Sequence, residues 1–230
     1  MKLVDDQELE ESSVVANCNM SRERNLHGTN GYDRDLRFDP LEFLRGVANE
    51  HGQARWLDLC CGTGKALNEA SEICDKEELP VRIVGVDLVG MFDASQSHRL
   101  KLIQASLSQW DPNERFDLIT CVHGLHYIGN KLKLIVRAAS WLTPRGNFTA
   151  NLDKDNLRLD QKSSTKIIAS LKQAGFVFSS QQRLLQCDGC LNASFPFRYL
   201  GADDQAGPNY TGQAAVNSHY ASVTSSNEGP

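Results

Sequence analysis

Long hydrophobic runs are missing from this sequence of 230 residues. Its apolar stretches are short, whereas a helix that crosses a membrane needs about 20 consecutive, mostly apolar residues. The opening residues, Met-Lys-Leu-Val-Asp-Asp, also lack the apolar centre of a targeting signal. These absences argue against membrane association and predict a soluble, cytoplasmic protein.

Clusters of positive charge are missing as well. The 24 Lys and Arg residues face 29 Asp and Glu residues, and the formal net charge is −5. Arginines are concentrated only at Arg22–Arg24 and Arg34–Arg37, and acids interrupt both groups. Binding to a nucleic-acid backbone depends on clustered positive charge. A nucleic-acid partner is therefore disfavoured, and a small molecule is the better hypothesis for the ligand.

An even set of cysteines, which a disulfide framework would need, is also absent. The seven cysteines suit reduced thiols in a cytosol, because several of them fall in predicted buried strands. Cys187 and Cys190 form a C-x-x-C pair, but no second pair with zinc spacing accompanies it. We therefore expect a turn at this pair and no metal site.

The most informative stretch that is present covers residues 56–65, W-L-D-L-C-C-G-T-G-K. The apolar residues up to Leu59 predict a buried parallel strand, and Lys65–Ile73 has the spacing of a helix. Gly62 and Gly64 then lie at a strand-to-helix crossing, where a Cβ atom would block the close approach of a ligand to the backbone. This arrangement is typical of a site for a nucleotide-type cofactor.

Two common kinds of loop fit this stretch poorly. A phosphate-binding loop would need a glycine in place of Leu59 and a Ser or Thr in place of Ala66. A dinucleotide-binding loop would need a small residue in place of Leu67, and it has no use for the acid Asp58. Asp58 instead indicates a ligand that carries an ammonium group.

The stretch resembles motif I of the class I S-adenosylmethionine (SAM)-dependent methyltransferases, in which an acid precedes a G-x-G-x-G turn. The positions that carry the resemblance are Asp58, Cys60, Gly62 and Gly64. Cys60 stands where the first glycine is usual, but cysteine is small and weakly polar. This variant resembles one known from quinone-type small-molecule methyltransferases. The resemblance implies that these four residues take part in binding the cofactor SAM.

Later segments match the same family in order. Val81–Val86 predicts a strand that ends at Asp87 and Leu88, and the two oxygens of a carboxylate can accept hydrogen bonds from both ribose hydroxyls. A third strand at residues 100–104 leads to Ser106 and Leu107, where the adenine contacts of the family lie. The sequence resembles small-molecule methyltransferases of the type 11 and type 25 kind, including uncharacterised bacterial members.

The end of this region predicts how the sheet closes. Residues 176–186 and 191–197 are apolar-rich runs, and Asp188-Gly189 between them is a favoured hairpin turn. An antiparallel hairpin closes a methyltransferase sheet but not a dinucleotide-binding one. The predicted fold class is therefore α/β, a Rossmann-like seven-stranded and mostly parallel sheet with an antiparallel C-terminal hairpin and helices on both faces.

Candidate catalytic residues follow the fourth predicted strand, Phe116–Val122. His126, with Tyr127, is the candidate general base, because these residues lie at the carboxyl edge where open α/β sheets bind ligands and because histidine titrates near neutrality. The alternative is that a histidine only caps the next helix or shapes the wall of the cofactor site. We expect His123 to form part of that wall.

The ends of the chain are expected to determine the choice of substrate. We predict a flexible N-terminus at 1–12, a cap segment at 13–50 with a helix that begins near Asp39-Pro40, and a SAM-binding domain at 51–198. In related methyltransferases the cap segment covers the SAM carboxylate and the acceptor. The resemblance thus implies contacts by Tyr32 and by either Arg22 or Arg24; the alternative is a polar surface arm.

The C-terminal segment is Gly-rich and polar, and its composition alone predicts disorder. Its tyrosines Tyr199, Tyr210 and Tyr220 are costly to leave in water, however. We therefore expect residues 199–220 to form a lid over the active site and residues 221–230 to form a disordered tail.

The sequence as a whole predicts a SAM-dependent methyltransferase that moves a methyl group to an O, N or C centre of a small molecule. A regulatory protein that binds SAM without catalysis is one alternative. The other is an NAD-dependent oxidoreductase, which Asp87 permits but which Leu67 and the closing hairpin oppose.

Overall fold

A sheet of seven strands lies at the centre of the molecule, which a computed structural model describes over residues 2–16 and 23–223. The strands, in their order across the sheet, are β3 (Leu100–Gln104), β2 (Val81–Asp87), β1 (Ala54–Leu59), β4 (Phe116–Cys121), β5 (Leu142–Asn151), β8 (Leu184–Asp188) and β7 (Val177–Ser179). The first five of these are parallel to one another, whereas β8 is antiparallel to both of its neighbours. The predicted mostly parallel sheet with an antiparallel end is confirmed.

Helices cover both faces of this sheet. The longer ones are α4 (Pro40–His51), α5 (Lys65–Lys76), α6 (Lys131–Ser140) and α7 (Thr165–Gln173). Because successive strand residues point to opposite faces, Trp56 of β1 packs in the apolar cluster of α4 and α5, whereas Leu57 packs in that of α6 and α7. Of the helices in the described ranges, none is long and apolar enough to cross a membrane.

The ends of α4 illustrate how local sequence sets an element. The side chain of Asp39 accepts hydrogen bonds from the backbone N–H groups of Leu41 and Glu42, and Pro40 occupies the first turn. At the other end Gly52 takes a left-handed conformation, with φ of 79°. The helix therefore begins where the sequence predicts.

The antiparallel end is built differently from the prediction. Residues 176–186 do not form one strand, because the polar residues 180–183 turn the chain between β7 and β8. Asp188 pairs with Asn147 of β5, and the N–H of Gly189 donates to the carbonyl of Gly146 over 2.7 Å. The prediction of an Asp-Gly hairpin turn was therefore wrong, because this dipeptide ends an antiparallel strand beside β5 instead of reversing the chain.

A second sheet contains both ends of the C-terminal segment. Its three strands, in spatial order, are β6 (Leu157–Leu159), β10 (Asn217–Ser222) and β9 (Phe197–Asp203). We call it the C-terminal sheet. Tyr220 is only 2% exposed, so burial of this aromatic side chain overrides the disorder that composition predicts. The predicted tail falls partly in β10, and residues 224–230 lie outside the described residues.

The N-terminal residues also differ from the expected flexible end. They form the short helices α1 (Asp6–Glu10) and α2 (Ser13–Ala16), and the chain continues after a gap in the described residues to α3 (Tyr32–Leu36). Leu9 of α1 is 2% exposed and packs against Ala202 and Val216 of the C-terminal region. The acidic composition of this segment did not indicate the contact, because Leu9 is the one apolar residue within α1.

Candidate functional site

A cleft opens at the carboxyl edge of the large sheet, where the strand order reverses between β1 and β4. Ligands of open α/β sheets bind at such a switch point. The volume of the cleft is about 1170 Å³ when its open mouth is included. Residues that follow four different strands line it, among them Cys60, Gly62, Asp87, Leu88, Leu107, His123 and Tyr127.

The loop after β1 has an unusual backbone. Cys60, Gly62 and Gly64 all have positive φ angles, of 60°, 61° and 78°. Glycine adopts this conformation without strain, which explains why the position of Cys60 usually holds glycine. Cys60 and Gly62, which the resemblance implies as cofactor contacts, both line the cleft. Gly64 does not line the cleft; it precedes α5, and a Cβ atom there would lie 3.0 Å from the methyl groups of Leu102.

Asp87 is held at the rim of the cleft by backbone groups. Its Oδ2 accepts a hydrogen bond from the N–H of Gly62 over 3.0 Å, and its Oδ1 accepts one from the N–H of Val89 over 3.0 Å. A carboxylate has about four lone-pair sites, so acceptor capacity remains for a ligand. The carboxylate is therefore oriented in advance for a pair of hydroxyl donors.

Asp58 lies beneath the cleft instead of lining it, which corrects the prediction of direct contact with a ligand. Its side chain is fully buried and accepts hydrogen bonds from the hydroxyls of Tyr32, over 2.7 Å, and Thr120. Burial raises the pKa of Asp58 to about 7, although both hydrogen bonds oppose the change. Tyr32 does line the cleft, so Asp58 acts on the site by holding that ring.

His123 lies in the wall of the cleft between two polar partners. Its Nε2 is 3.4 Å from Oδ2 of Asp35, and its Nδ1 is 3.3 Å from the hydroxyl oxygen of Tyr210. Asp35 also accepts a hydrogen bond from the guanidinium of Arg24 over 2.7 Å. Although burial alone raises the pKa of Asp35, its contacts with His123 and Arg24 outweigh burial and lower the pKa. Sequence reasoning did not single out Asp35, although this residue joins Arg24 to His123.

His126 is absent from the wall of the cleft, which corrects its placement as the candidate base. A 3-10 turn over Gly124–Tyr127 directs this side chain inward, where it is 1% exposed. Neither ring nitrogen finds a hydrogen-bond partner within residues 2–16 and 23–223. Burial, followed by the nearby charges of His123 and Lys131, lowers the pKa of His126 to about 3.

Tyr127, the other candidate catalytic residue, does line the cleft. Its hydroxyl donates a hydrogen bond to Oε1 of Gln213 over 3.0 Å. Gln213 comes from the connection between β9 and β10, and this connection also carries Tyr210. The C-terminal segment therefore reaches the cleft through Gln213, and its Tyr210 contacts His123 of the cleft wall.

The opposite side of the cleft is formed by α1. Leu9 and Glu10 line it together with Leu88 and Leu107. Ser106 does not line the cleft itself, but its hydroxyl donates a hydrogen bond over 2.6 Å to Oε1 of Glu10, which does. The acidic composition of the N-terminus gave no signal of this contact. Arg24 lines the cleft near Tyr32, whereas Arg22 lies outside the described residues.

These features fit SAM, the cofactor that the family resemblance implies. The fixed carboxylate of Asp87 suits the ribose, and the guanidinium of Arg24 suits the carboxylate of the methionine part. Apolar side chains beside Asp87 suit a flat base. Across residues 2–16 and 23–223, no group of three or more metal-ligating side chains could hold a metal ion.

Comparison with known proteins agrees with this fit. The sequence model of a family described as a methyltransferase domain matches residues 31–186. No curated protein matches the chain. Similar solved structures include the N-methyltransferase NodS from Bradyrhizobium japonicum WM9 in complex with S-adenosyl-L-homocysteine, at 14% identity, over 80% of this chain and 97% of that one, with a TM-score of 0.47.

Two further structures are similar over shorter ranges. The plantazolicin methyltransferase BpumL, in complex with SAH, is 16% identical over 66% of this chain, with a TM-score of 0.43, and the match spans 56% of the length of BpumL. The SAM-bound amino pentose methyltransferase CalS10 from Micromonospora echinaspora is 23% identical over 49% of this chain and 48% of its own, with a TM-score of 0.38. Because the family model covers more than half of the sequence, the chain belongs to the methyltransferase domain family, as a class I member with SAM as its cofactor.

Proposed function

We propose that the protein transfers the methyl group of SAM to an O, N or C centre of a small molecule. SAM supplies a methyl group that is already activated on a sulfonium. The protein therefore has to align the acceptor with that methyl group and, for many acceptors, to remove a proton. The observation that carries the proposal is the position of His123, which lies in the wall of a cleft that fits the cofactor and has Asp35 3.4 Å from its Nε2.

We assign the cofactor contacts to residues at the two ends of this cleft. Asp87 holds the ribose hydroxyls through the lone pairs that its backbone donors leave available. Arg24 binds the carboxylate of the methionine part, and the ring of Tyr32, held by Asp58, forms the wall beside it. The amino-acid end of the cofactor then lies toward His123.

We assign the general base to His123 instead of His126. The carboxylate of Asp35 favours a proton on Nε2 of His123 and leaves Nδ1 as the proton acceptor. At present Nδ1 faces the hydroxyl of Tyr210. His126 suits this role poorly, because a group with a pKa of about 3 holds a proton weakly near neutral pH.

A small acceptor is supported by the charge of the chain. The net charge of −5 leaves little attraction for a nucleic-acid backbone, and acids interrupt the two arginine groups of the sequence. The buried free thiols of Cys61, Cys74 and Cys121 support a reducing compartment and hence the cytoplasm.

The test uses SAM labelled in its methyl group, the small-molecule fraction of a cell extract as the source of acceptors, and S-adenosylhomocysteine (SAH) binding measured by calorimetry. The His123→Asn variant should label its acceptor about 100-fold to 10,000-fold more slowly, as expected for loss of a general base. Its affinity for SAH should stay within a few-fold of the wild-type value. The matched control is His98→Asn, because the side chain of His98 is 82% exposed and lies outside the cleft.

Each failure of this test has its own meaning. Unchanged labelling by His123→Asn would remove His123 from the base role. SAH binding without any labelled product in the wild type would indicate a regulatory protein that binds SAM. Heat on titration with NAD, and none with SAH, would instead support the oxidoreductase alternative.

A further inference from the structure

We infer that Glu10 recognises the amino group of the cofactor adenine, so that helix α1 forms part of the cofactor site. This inference rests on the proposed function, because it requires SAM in the cleft. It assigns a chemical role to an N-terminal segment that the sequence predicts to be flexible. The argument runs from the position of the adenine to the carboxylate of Glu10 and then to the contacts that hold α1.

The position of the adenine follows from the ribose and the strand order. Asp87 ends β2, and β3 is the neighbour of β2 on the side away from β1. The methionine part lies toward β1 and β4, where Arg24 and Tyr32 line the cleft, so the base points toward β3. Four apolar side chains follow β2 and β3 and line the cleft there: Leu88, Val89, Ala105 and Leu107. They form a slot suited to a flat aromatic ring.

Glu10 supplies a polar group at the edge of this slot. One of its carboxylate oxygens accepts a hydrogen bond from the hydroxyl of Ser106, the residue between Ala105 and Leu107. Within the described part of the chain, no hydrogen bond reaches its other oxygen. An ionised carboxylate only accepts hydrogen bonds, and the exocyclic amine of adenine is a donor, so the two groups are complementary.

Among the described residues, the basic side chains near Glu10 do not bind its carboxylate. Lys133 donates to the carbonyl of Ser108, and Arg137 donates to the carbonyls of Leu107 and Trp110. Both cations line the same cleft but bind backbone oxygens of the loop after β3. The carboxylate of Glu10 is therefore left to a ligand donor.

Several contacts hold α1 in this position. The backbone groups of Val4 and Ala202 exchange two hydrogen bonds, each 2.9 Å long. The hydroxyl of Tyr199 donates to Oδ1 of Asp6 over 3.2 Å, and Leu9 is buried against the C-terminal region. A helix of five residues is marginal in isolation, so these contacts determine where Glu10 lies.

The experiment compares two ligands by calorimetric titration of the full-length protein. One is SAH, and the other is S-inosylhomocysteine, in which a carbonyl oxygen replaces the amino group of the base. The wild type should prefer SAH. The Glu10→Ala variant should bind SAH about 10-fold to 100-fold more weakly, which is the loss expected for a hydrogen bond to a charged group. Its preference between the two ligands should also fall toward unity.

Two further variants make the result specific. Glu11→Ala removes the neighbouring, exposed acid outside the cleft and should bind both ligands as the wild type does. Glu10→Gln keeps an acceptor oxygen and should lose less affinity than Glu10→Ala, which supports the inference even if the alanine variant folds poorly.

Unchanged SAH affinity and unchanged preference in both Glu10 variants would overturn the inference while the proposed function stands. A folded wild type that binds neither ligand would instead contradict the proposed function itself.

Discussion

Two buried ionisable residues near the cleft have pKa values that burial moves in opposite directions. Burial raises the pKa of Asp58 to about 7, and burial lowers the pKa of His126 to about 3. In both cases the neutral form is favoured, because neither side chain has a counter-ion that would stabilise its charge. The folded protein thus keeps these groups neutral over part of the pH range in which the unfolded chain ionises them.

The His126→Phe variant should make the protein more resistant to acid. The pKa of His126 is about 3 in the folded state and 6.5 in the unfolded reference, so the unfolded state binds more protons between these values. Stability from the neutral ring is fully present above the higher value and is lost as the pH falls toward the lower one, by about 1.4 kcal/mol per pH unit. Asp58 has the opposite sign, because its stabilising contribution is lost as the pH rises through about 7.

The measurement is urea unfolding of both proteins from about pH 7 down to about pH 4. The difference in unfolding free energy between His126→Phe and the wild type should grow in favour of the variant as the pH falls. His98→Asn is the control, because its exposed ring should leave the wild-type profile unchanged. Parallel profiles for His126→Phe and the wild type would show that His126 is not kept neutral.

At the residue scale, sequence reasoning located residues well where their position is tied to a local pattern. Gly62 lies in the turn after the first predicted strand and Asp87 at the end of the second, and both line the cleft. It missed Asp35 and Glu10, because nothing near them in the sequence indicates which residues they meet in the fold. His126 was misplaced since a 3-10 turn, and not a regular strand or helix, determines which of two neighbouring side chains faces the ligand.

At the scale of elements, the C-terminal sheet is joined to the first turn of α6. The hydroxyl of Tyr220 in β10 accepts a hydrogen bond from the N–H of Leu132 over 3.1 Å and lies 3.3 Å from Oδ1 of Asn130. The first four N–H groups of a helix have no partner within the helix, so Tyr220 supplies one. Buried Lys131 adds a second link, because its ammonium donates to the carbonyl of Val216 and to the hydroxyl of Ser218.

The Tyr220→Phe variant should therefore lose stability without losing its aromatic packing. A buried N–H group left without a partner costs about 1–3 kcal/mol, so the free energy of unfolding should fall by that amount. Urea unfolding followed by circular dichroism measures the change. Tyr199→Phe is the matched control, with an expected loss below about 1 kcal/mol, because the hydroxyl of Tyr199 is only partly buried. Equal losses in the two variants would contradict the linking role of Tyr220.

The elements themselves were largely predictable. Apolar runs and glycines located β1, β2 and β4, and the cap at Asp39 located α4. The sequence predicted that antiparallel strands close the sheet, but not where they lie. Asp188-Gly189 has the composition of a hairpin turn, yet its pairing with β5 makes it the end of a strand. The C-terminal sheet escaped prediction, since β6 and β10 are short strands whose pairing joins distant parts of the chain.

At the scale of the whole molecule, one cleft brings together the N-terminal segment, the central sheet and the C-terminal segment. Glu10, Asp87 and Gln213 all line it. A ligand that contacts these three parts at once stabilises the folded state by mass action, because the unfolded chain has no such site.

Binding of SAH should therefore raise the melting temperature of the protein. A ligand at about 100 times its dissociation constant adds about 2.7 kcal/mol of stability. For a domain of 150–250 residues, that corresponds to a rise of about 5–10 °C. Thermal unfolding with and without SAH measures the rise, and NAD at the same concentration serves as the control. A rise of equal size with NAD would contradict selectivity for the methyl-donor type of cofactor.

The bond between Tyr199 and Asp6 joins residues 193 positions apart in the chain. During synthesis the N-terminal part leaves the ribosome first, and the central sheet can begin to fold before β9 exists. Helix α1 lacks its contacts with Tyr199 and Ala202 until that strand has been made. The cleft therefore stays incomplete until β9 has been synthesised, even if the central sheet has already formed.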